Sequence, residues 1–122
     1  MSKGLLRDNF DLILLAILED GPKYGLEIVA EARGRTDGYL ELKEGSLYPA
    51  LHRLEQARFV EAEFAPSDTG GPRRRYYRLS EAGVKQLSER RSAWECFNSA
   101  VGALWKTLAW RALAWKNLWG TR

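Results

Sequence analysis

The sequence predicts an α+β fold, mostly helical, in which three helices and a two-stranded hairpin lead into one long C-terminal helix. Three observations predict it. Apolar residues recur at helical spacing in three separate segments before residue 57. Two period-two stretches then flank a turn rich in Gly and Pro. From Glu81 onward a helical apolar stripe returns and continues nearly to the end of the chain.

Asp8 or Asn9 is suited to cap a first helix running through Phe10–Asp20, whose interior is apolar nearly all round and so belongs in the middle of the domain. Gly21-Pro22 ends it, with Gly21 suited to a left-handed cap. A second helix is expected at Tyr24–Ala32, with Leu26, Val29 and Ala30 on one side. Gly34–Gly38 reads as a loop, and Tyr39-Leu40-Glu41-Leu42 alternates like a short strand. The third helix, about Glu44 to Gln56, gathers Leu47, Leu51, Leu54 and Ala50 on one face. Gly45, Ser46, Pro49, His52, Arg53 and Gln56 occupy the other. Pro49 lies near the helix start, where a missing N–H costs little. Val60, Ala62 and Phe64 alternate with Glu61 and Glu63, residues 66–72 form a turn, and Arg73–Leu79 returns as the second strand of a hairpin. Ser80 is a good N-cap for the last helix. The order is that of a winged helix-turn-helix at 1–79, followed by a long C-terminal dimerisation helix at 80–122.

The chain has 122 residues, 45% of them hydrophobic and 29% charged, which fits a globular domain and not a disordered one. Its net charge is +3, but the charge is unevenly spread: −3 over residues 1–42, +2 over 43–79 and +4 over 80–122. Arg73, Arg74, Arg75 and Arg78 fall within six positions, a cluster able to hold phosphates. With one cysteine, Cys96, and one histidine, His52, there is no intrachain disulfide, no thiolate metal cluster and no nucleophile–base set, so neither an enzyme nor a cofactor is expected. The N-terminus lacks a signal-like apolar run and no 18-residue uncharged apolar stretch occurs, so a cytoplasmic protein without stable membrane insertion is expected.

The third helix buries its leucines and leaves Ser46, Pro49, His52 and Arg53, small or hydrogen-bonding groups, for a major groove. The arginines of the hairpin suit phosphate oxygens or a narrow minor groove. Double-stranded promoter DNA is therefore the expected partner. Lys23 and Tyr24 begin the second helix, where backbone N–H groups favour a phosphate; their plainer role is a helix start. Tyr48 is either a ring at the core edge or a phosphate donor. His52 is an exposed side chain without a ligand, or a base or phosphate contact. Cys96 reads as one small apolar residue on a helix, with redox sensing as its lesser alternative.

Three blocks, Gly21-Pro22-Lys23-Tyr24-Gly25-Leu26-Glu27-Ile28, Gly45-Ser46-Leu47-Tyr48-Pro49-Ala50-Leu51-His52-Arg53-Leu54-Glu55 and Arg74-Arg75-Tyr76-Tyr77-Arg78-Leu79-Ser80-Glu81-Ala82-Gly83, resemble the PadR family of transcriptional regulators over roughly residues 8 to 90. The resemblance implies a winged helix, dimerisation through the C-terminal helix, and repression at a palindromic operator. Residues matching Ser46, Tyr48 and the wing arginines are then expected at DNA, and Trp94 is expected to line an effector pocket at the dimer interface. Two positions depart from the family pattern. The turn after the third helix reads Gln56-Ala57-Arg58-Phe59 where Gly is usual, which would place Arg58 in a left-handed conformation. Lys43 stands at the helix cap, where it cannot accept a hydrogen bond and fits a phosphate contact instead.

The stripe Trp94, Phe97, Val101, Leu104, Trp105 and Leu108 serves as a dimer seam, as a box for a small aromatic ligand, or as both. From Cys96 to Arg122 there are four basic residues, no acid and four tryptophans. That composition keeps open a different class: a protein-interaction module with a Trp-rich docking or membrane-surface helix.

Overall fold

The structure, a computed structural model, describes residues 3–67 and 70–119, without the side chains of 107–110, 112 and 116–119. Its elements are α1 (Lys3–Asp8), α2 (Phe10–Ile17) continued by a 3-10 turn (Leu18–Asp20), β1 (Lys23–Tyr24), α3 (Gly25–Arg35), α4 (Glu44–Gln56), β2 (Val60–Ala65), β3 (Arg74–Leu79) and α5 (Glu81–Trp119). Two compact units divide the chain, Met1–Ser88 and Glu89–Arg122. The expected boundary at 79/80 falls just before α5, whose first two turns, with buried Leu87, belong to the first unit.

In the first unit one core collects Phe10, Leu14, Leu15, Ile17 and Leu18 from the α2 segment, Ile28 and Ala32 from α3, and Leu47, Ala50, Leu51 and Leu54 from α4. Val60, Tyr77 and Leu87 close it from the hairpin and α5. The leucine face expected for α4 is the face it buries.

Several local expectations are corrected. A short helix, α1, precedes α2. Asn9 makes no side-chain cap; its amide donates to the Leu5 carbonyl at 2.9 Å and finishes α1 instead. Gly21 has a positive φ of 143° with ψ 173°, a glycine conformation but not the left-handed cap. The second helix starts at Gly25 and runs to Arg35, burying Gly25, Ile28 and Ala32, while Leu26 and Ala30 are exposed. Tyr39–Leu42 is not a strand. Its alternation reflects buried Leu42 and part-buried Leu40 in an extended segment. The sheet has no edge of β3 left for it, because the strand order is β1-β3-β2.

Lys23 and Tyr24 form β1, and Tyr24 is at the same time the N-cap of α3, its N–H donating to Glu27 Oε1 at 3.1 Å. Lys23 pairs with Tyr77 and Tyr24 with Tyr76. Directly opposed residues point to the same face of a sheet, so Lys23 follows Tyr77 inward. Its ammonium is buried, held by the Asp20 carboxylate and, at 3.5 Å, by the Gly21 carbonyl. That bond to Lys23 holds the Asp20 carboxyl below its usual range.

The exit from α4 follows the expectation for Arg58. Its φ is 65°. Arg58 N–H bonds to the Glu55 carbonyl and Phe59 N–H to the Leu54 carbonyl, each at 3.0 Å, which is a Schellman closure with arginine where glycine is usual. The left-handed arginine costs on the order of 1 kcal/mol. The turn sends Val60 straight into β2. Ser80 caps α5 as expected: its Oγ accepts from Gly83 N–H at 3.0 Å and donates to the Arg58 carbonyl at 2.6 Å.

Candidate nucleic-acid interface

Burial of Leu47, Ala50, Leu51 and Leu54 turns the opposite side of α4 to solvent. That side presents Ser46, Tyr48, Pro49, His52 and Arg53, all exposed, with exposed Lys43 at the N-cap making no side-chain cap. The helix thus shows donors, acceptors and a flat proline edge, the groups that read base edges.

Tyr48 occupies the flank of this surface because α3 makes room for it. A Cβ on Gly25 would lie 2.4 Å from the Tyr48 hydroxyl oxygen and 2.8 Å from two of its ring atoms, so only glycine at 25 lets the ring settle there. Desolvation first, then the charge of Glu44, raises the Tyr48 pKa, so the hydroxyl remains a donor throughout the neutral range. Both roles expected for Tyr48, core-edge ring and exposed hydroxyl, are compatible with this seat.

The hairpin sorts its arginines by strand parity. Arg75 stands opposite Phe64, Tyr77 opposite Ala62 and Leu79 opposite Val60, all on the face that carries the core. Arg74, Tyr76 and Arg78 point to the other face with Ala65, Glu63 and Glu61. On that outer face the Arg74 guanidinium carbon lies 4.2 Å from the centre of the Tyr24 ring, which meets Tyr76 edge-on at 5.5 Å. Arg78 is paired with Glu61 at 3.2 Å and Glu63 at 3.4 Å. Arg73 precedes the strand and is exposed. On the inner face one Arg75 Nη2 donates to both Glu55 oxygens, at 2.9 and 2.8 Å, and that bond holds the Arg75 pKa above its usual value.

The structure therefore treats the expected DNA-facing residues unequally. It brings Lys43, Ser46, Tyr48, Pro49, His52 and Arg53 onto one exposed side of α4, and leaves Arg73 and Arg74 outward on the hairpin. Arg53 is already paired with Asp11 at 2.6 Å, Arg75 is tied to Glu55, and Lys23 is inside. Glu55 and Asp11 shape the surface and were not among the site residues expected from sequence.

In the second unit Trp94, Phe97, Leu104 and Trp105 are exposed, Phe97 at 70% and Leu104 at 71%, and Val101 is half-buried. Leu108, the last residue expected in this stripe, lies outside the described side chains. Cys96 is an exposed thiol. No helix among the described residues is long and apolar enough to cross a membrane. Among them, no group of three or more His, Cys, Asp or Glu is placed to hold a metal ion.

Comparison with known proteins agrees in kind. The model of the transcriptional regulator PadR-like family matches residues 14–89. An uncharacterised protein of Lysinibacillus sphaericus is 34% identical over 90 residues, 74% of this chain and 82% of that one. A transcriptional regulator from Clostridium thermocellum superposes with a TM-score of 0.74 at 31% identity, covering 84% of this chain and 95% of that one. Bacillus subtilis PadR, solved in complex with operator DNA, shares the fold at TM-score 0.59 and 20% identity over 66% of this chain and 45% of that one.

Proposed function

Because the chain belongs to the PadR-like family of transcriptional regulators, we propose that it is a homodimeric repressor that grips operator DNA with α4 and its wing. The observation that carries the reading is the exposed side of α4: small, hydrogen-bonding and free of acid from Gly45 to Arg53, beside outward Arg73 and Arg74. Ser46, His52 and Arg53 face base edges in the major groove, with Pro49 against the thymine methyl and Lys43 and Tyr48 on flanking phosphates. Arg73 and Arg74 supply salt-dependent affinity from the wing.

Two copies joined along α5 would set their α4 helices in successive major grooves, about 34 Å apart on one face of the duplex. The spacing of Trp94, Phe97, Val101 and Leu104 at three, four and three residues is that of a helix–helix seam. A flat aromatic effector stacked between the Trp94 rings would favour one spacing of the two heads over another and release the operator.

The test is a fluorescence-anisotropy titration at near-physiological salt, with DNA from upstream of the protein's own gene against a scrambled duplex of equal length. The native duplex is expected to bind on the order of a thousand-fold more tightly. The double variant Arg73→Ala/Arg74→Ala is expected to weaken both duplexes alike and to lower the salt slope by about two. A panel of flat aromatic compounds should contain one that dissociates the native complex while quenching Trp fluorescence. Equal, weak binding to both duplexes would sink the reading and turn attention to α5 as a docking helix.

A further inference from the structure

A wing contributes to binding only when it is held in a fixed place beside the recognition helix, since each loose segment must be ordered at the moment of association. The hairpin is joined to α4 by one set of side-chain hydrogen bonds among the described residues, those from Arg75 to Glu55. Arg75 is seated for this bond by strand parity: it shares the inner face with Tyr77 and Phe64, and its guanidinium carbon lies 5.5 and 5.7 Å from their Phe64 and Tyr77 ring centres. Both partners are only part-exposed, 40% and 29%. Glu55 is also the one acid in the second half of α4, on the helix that would face phosphate.

We propose that Arg75 is not a phosphate ligand but a positioning residue, which latches the wing to α4 through Glu55 and cancels that carboxylate's charge. The inference rests on the DNA-binding reading for its consequence, though the latch itself does not. The neighbouring arginines divide the work: exposed Arg73, ahead of the strand, and outward Arg74 serve phosphate, and Arg75 faces inward for geometry. A lysine at 75 would not serve, because its compact ammonium has no planar face to pack over the Phe64 and Tyr77 rings as the guanidinium does while reaching Glu55.

The experiment compares Arg75→Ala, Arg75→Lys, Glu55→Gln, the double variant Glu55→Gln/Arg75→Ala, and Arg74→Ala. For each, operator affinity is titrated across salt concentration, and amide hydrogen exchange is followed without DNA. Arg75→Ala and Glu55→Gln should each lose roughly three- to thirty-fold in affinity, and the double variant no more than either single one. Their salt slopes should equal that of the unaltered protein, while Arg74→Ala lowers its slope by about one. Arg75→Lys should resemble Arg75→Ala.

Without DNA, exchange should quicken in residues 60–65 and 74–79 for both latch variants, with the amides of α2 and α3 unchanged. A variant that merely loosened the whole fold would quicken all of them. Two results would overturn the proposal. One is tighter binding by Glu55→Gln with a slope lowered by Arg75→Ala, which would make Arg75 a phosphate ligand restrained by Glu55. The other is hairpin exchange unchanged in both latch variants, which holds whether or not the protein binds an operator.

Discussion

Gly83→Ala is expected to destabilise the winged-helix unit by about 3 kcal/mol. The cause is the turn out of α4. Left-handed Arg58 swings Phe59 against the start of α5, where the Phe59 carbonyl accepts from Ser80 N–H at 3.1 Å. A Cβ on Gly83 would then stand 2.0 Å from that carbonyl oxygen and 3.0 Å from its carbon. These are backbone atoms fixed by β2 on one side and by the Ser80 cap on the other, so they have nowhere to retreat. Gly34→Ala is the matched control. Gly34 lies within α3, and nothing stands within 4 Å of its added methyl, so helix propensity alone acts and the protein gains up to about 1 kcal/mol. Thermal unfolding at one protein concentration should show Gly83→Ala lower by more than about 10 °C and Gly34→Ala level or higher. Equal midpoints for the two would mean that the Phe59–Gly83 approach is not what joins the hairpin to α5.

For the homodimer proposed above, the expected effect of Phe97→Glu is a monomer at micromolar concentration and an operator affinity lower by more than about a hundred-fold. In an isologous seam each substitution appears twice, so the proposed seam would take in two carboxylates in place of two rings. Burying a phenylalanine contributes roughly 2 kcal/mol on each side, and an unpaired buried carboxylate costs several more. Phe97 is the natural place to test this, since it is 70% exposed in the single chain and lies between Trp94 and Val101 on the stripe. The winged-helix unit has its own core, so the amide hydrogen exchange of α2, α3 and α4 should be little changed. Half-site affinity would remain and full-site affinity would fall, because one head no longer brings the other to the duplex. A Phe97→Glu protein that sediments as a dimer would move the seam elsewhere.

Much of this was legible in the sequence, and the parts that were share a cause. The α4 helix and its solvent side follow from a 3.6-residue period in leucine, the hairpin from a period of two around a Gly/Pro turn, and the α5 cap from one serine. Each is a local pattern. What escaped was non-local. β1 is two residues long and exists only because Tyr76 and Tyr77 lie opposite it. That pairing takes Lys23 inside and moves the start of α3 to Gly25. Asn9 could cap either neighbour by type, and the presence of α1 decides that it closes the helix before it. The three wing arginines look alike as a run, yet parity with Tyr77 already distinguishes Arg75 from Arg74. Its partner Glu55, twenty residues earlier, has no mark in the sequence.

The most direct measurement is cleavage of operator DNA from a reagent fixed on α4. In a Cys96→Ser background, Ser46→Cys would carry a tethered iron–EDTA group, with Cys96 itself, an exposed thiol far along α5, labelled in a second preparation. A winged-helix dimer with α4 in the groove predicts two cleavage clusters from position 46, symmetric about the operator centre and about ten base pairs apart, and none above background from position 96. Diffuse cleavage from position 46, or clusters arising from position 96 instead, would contradict α4 as the element that reads DNA.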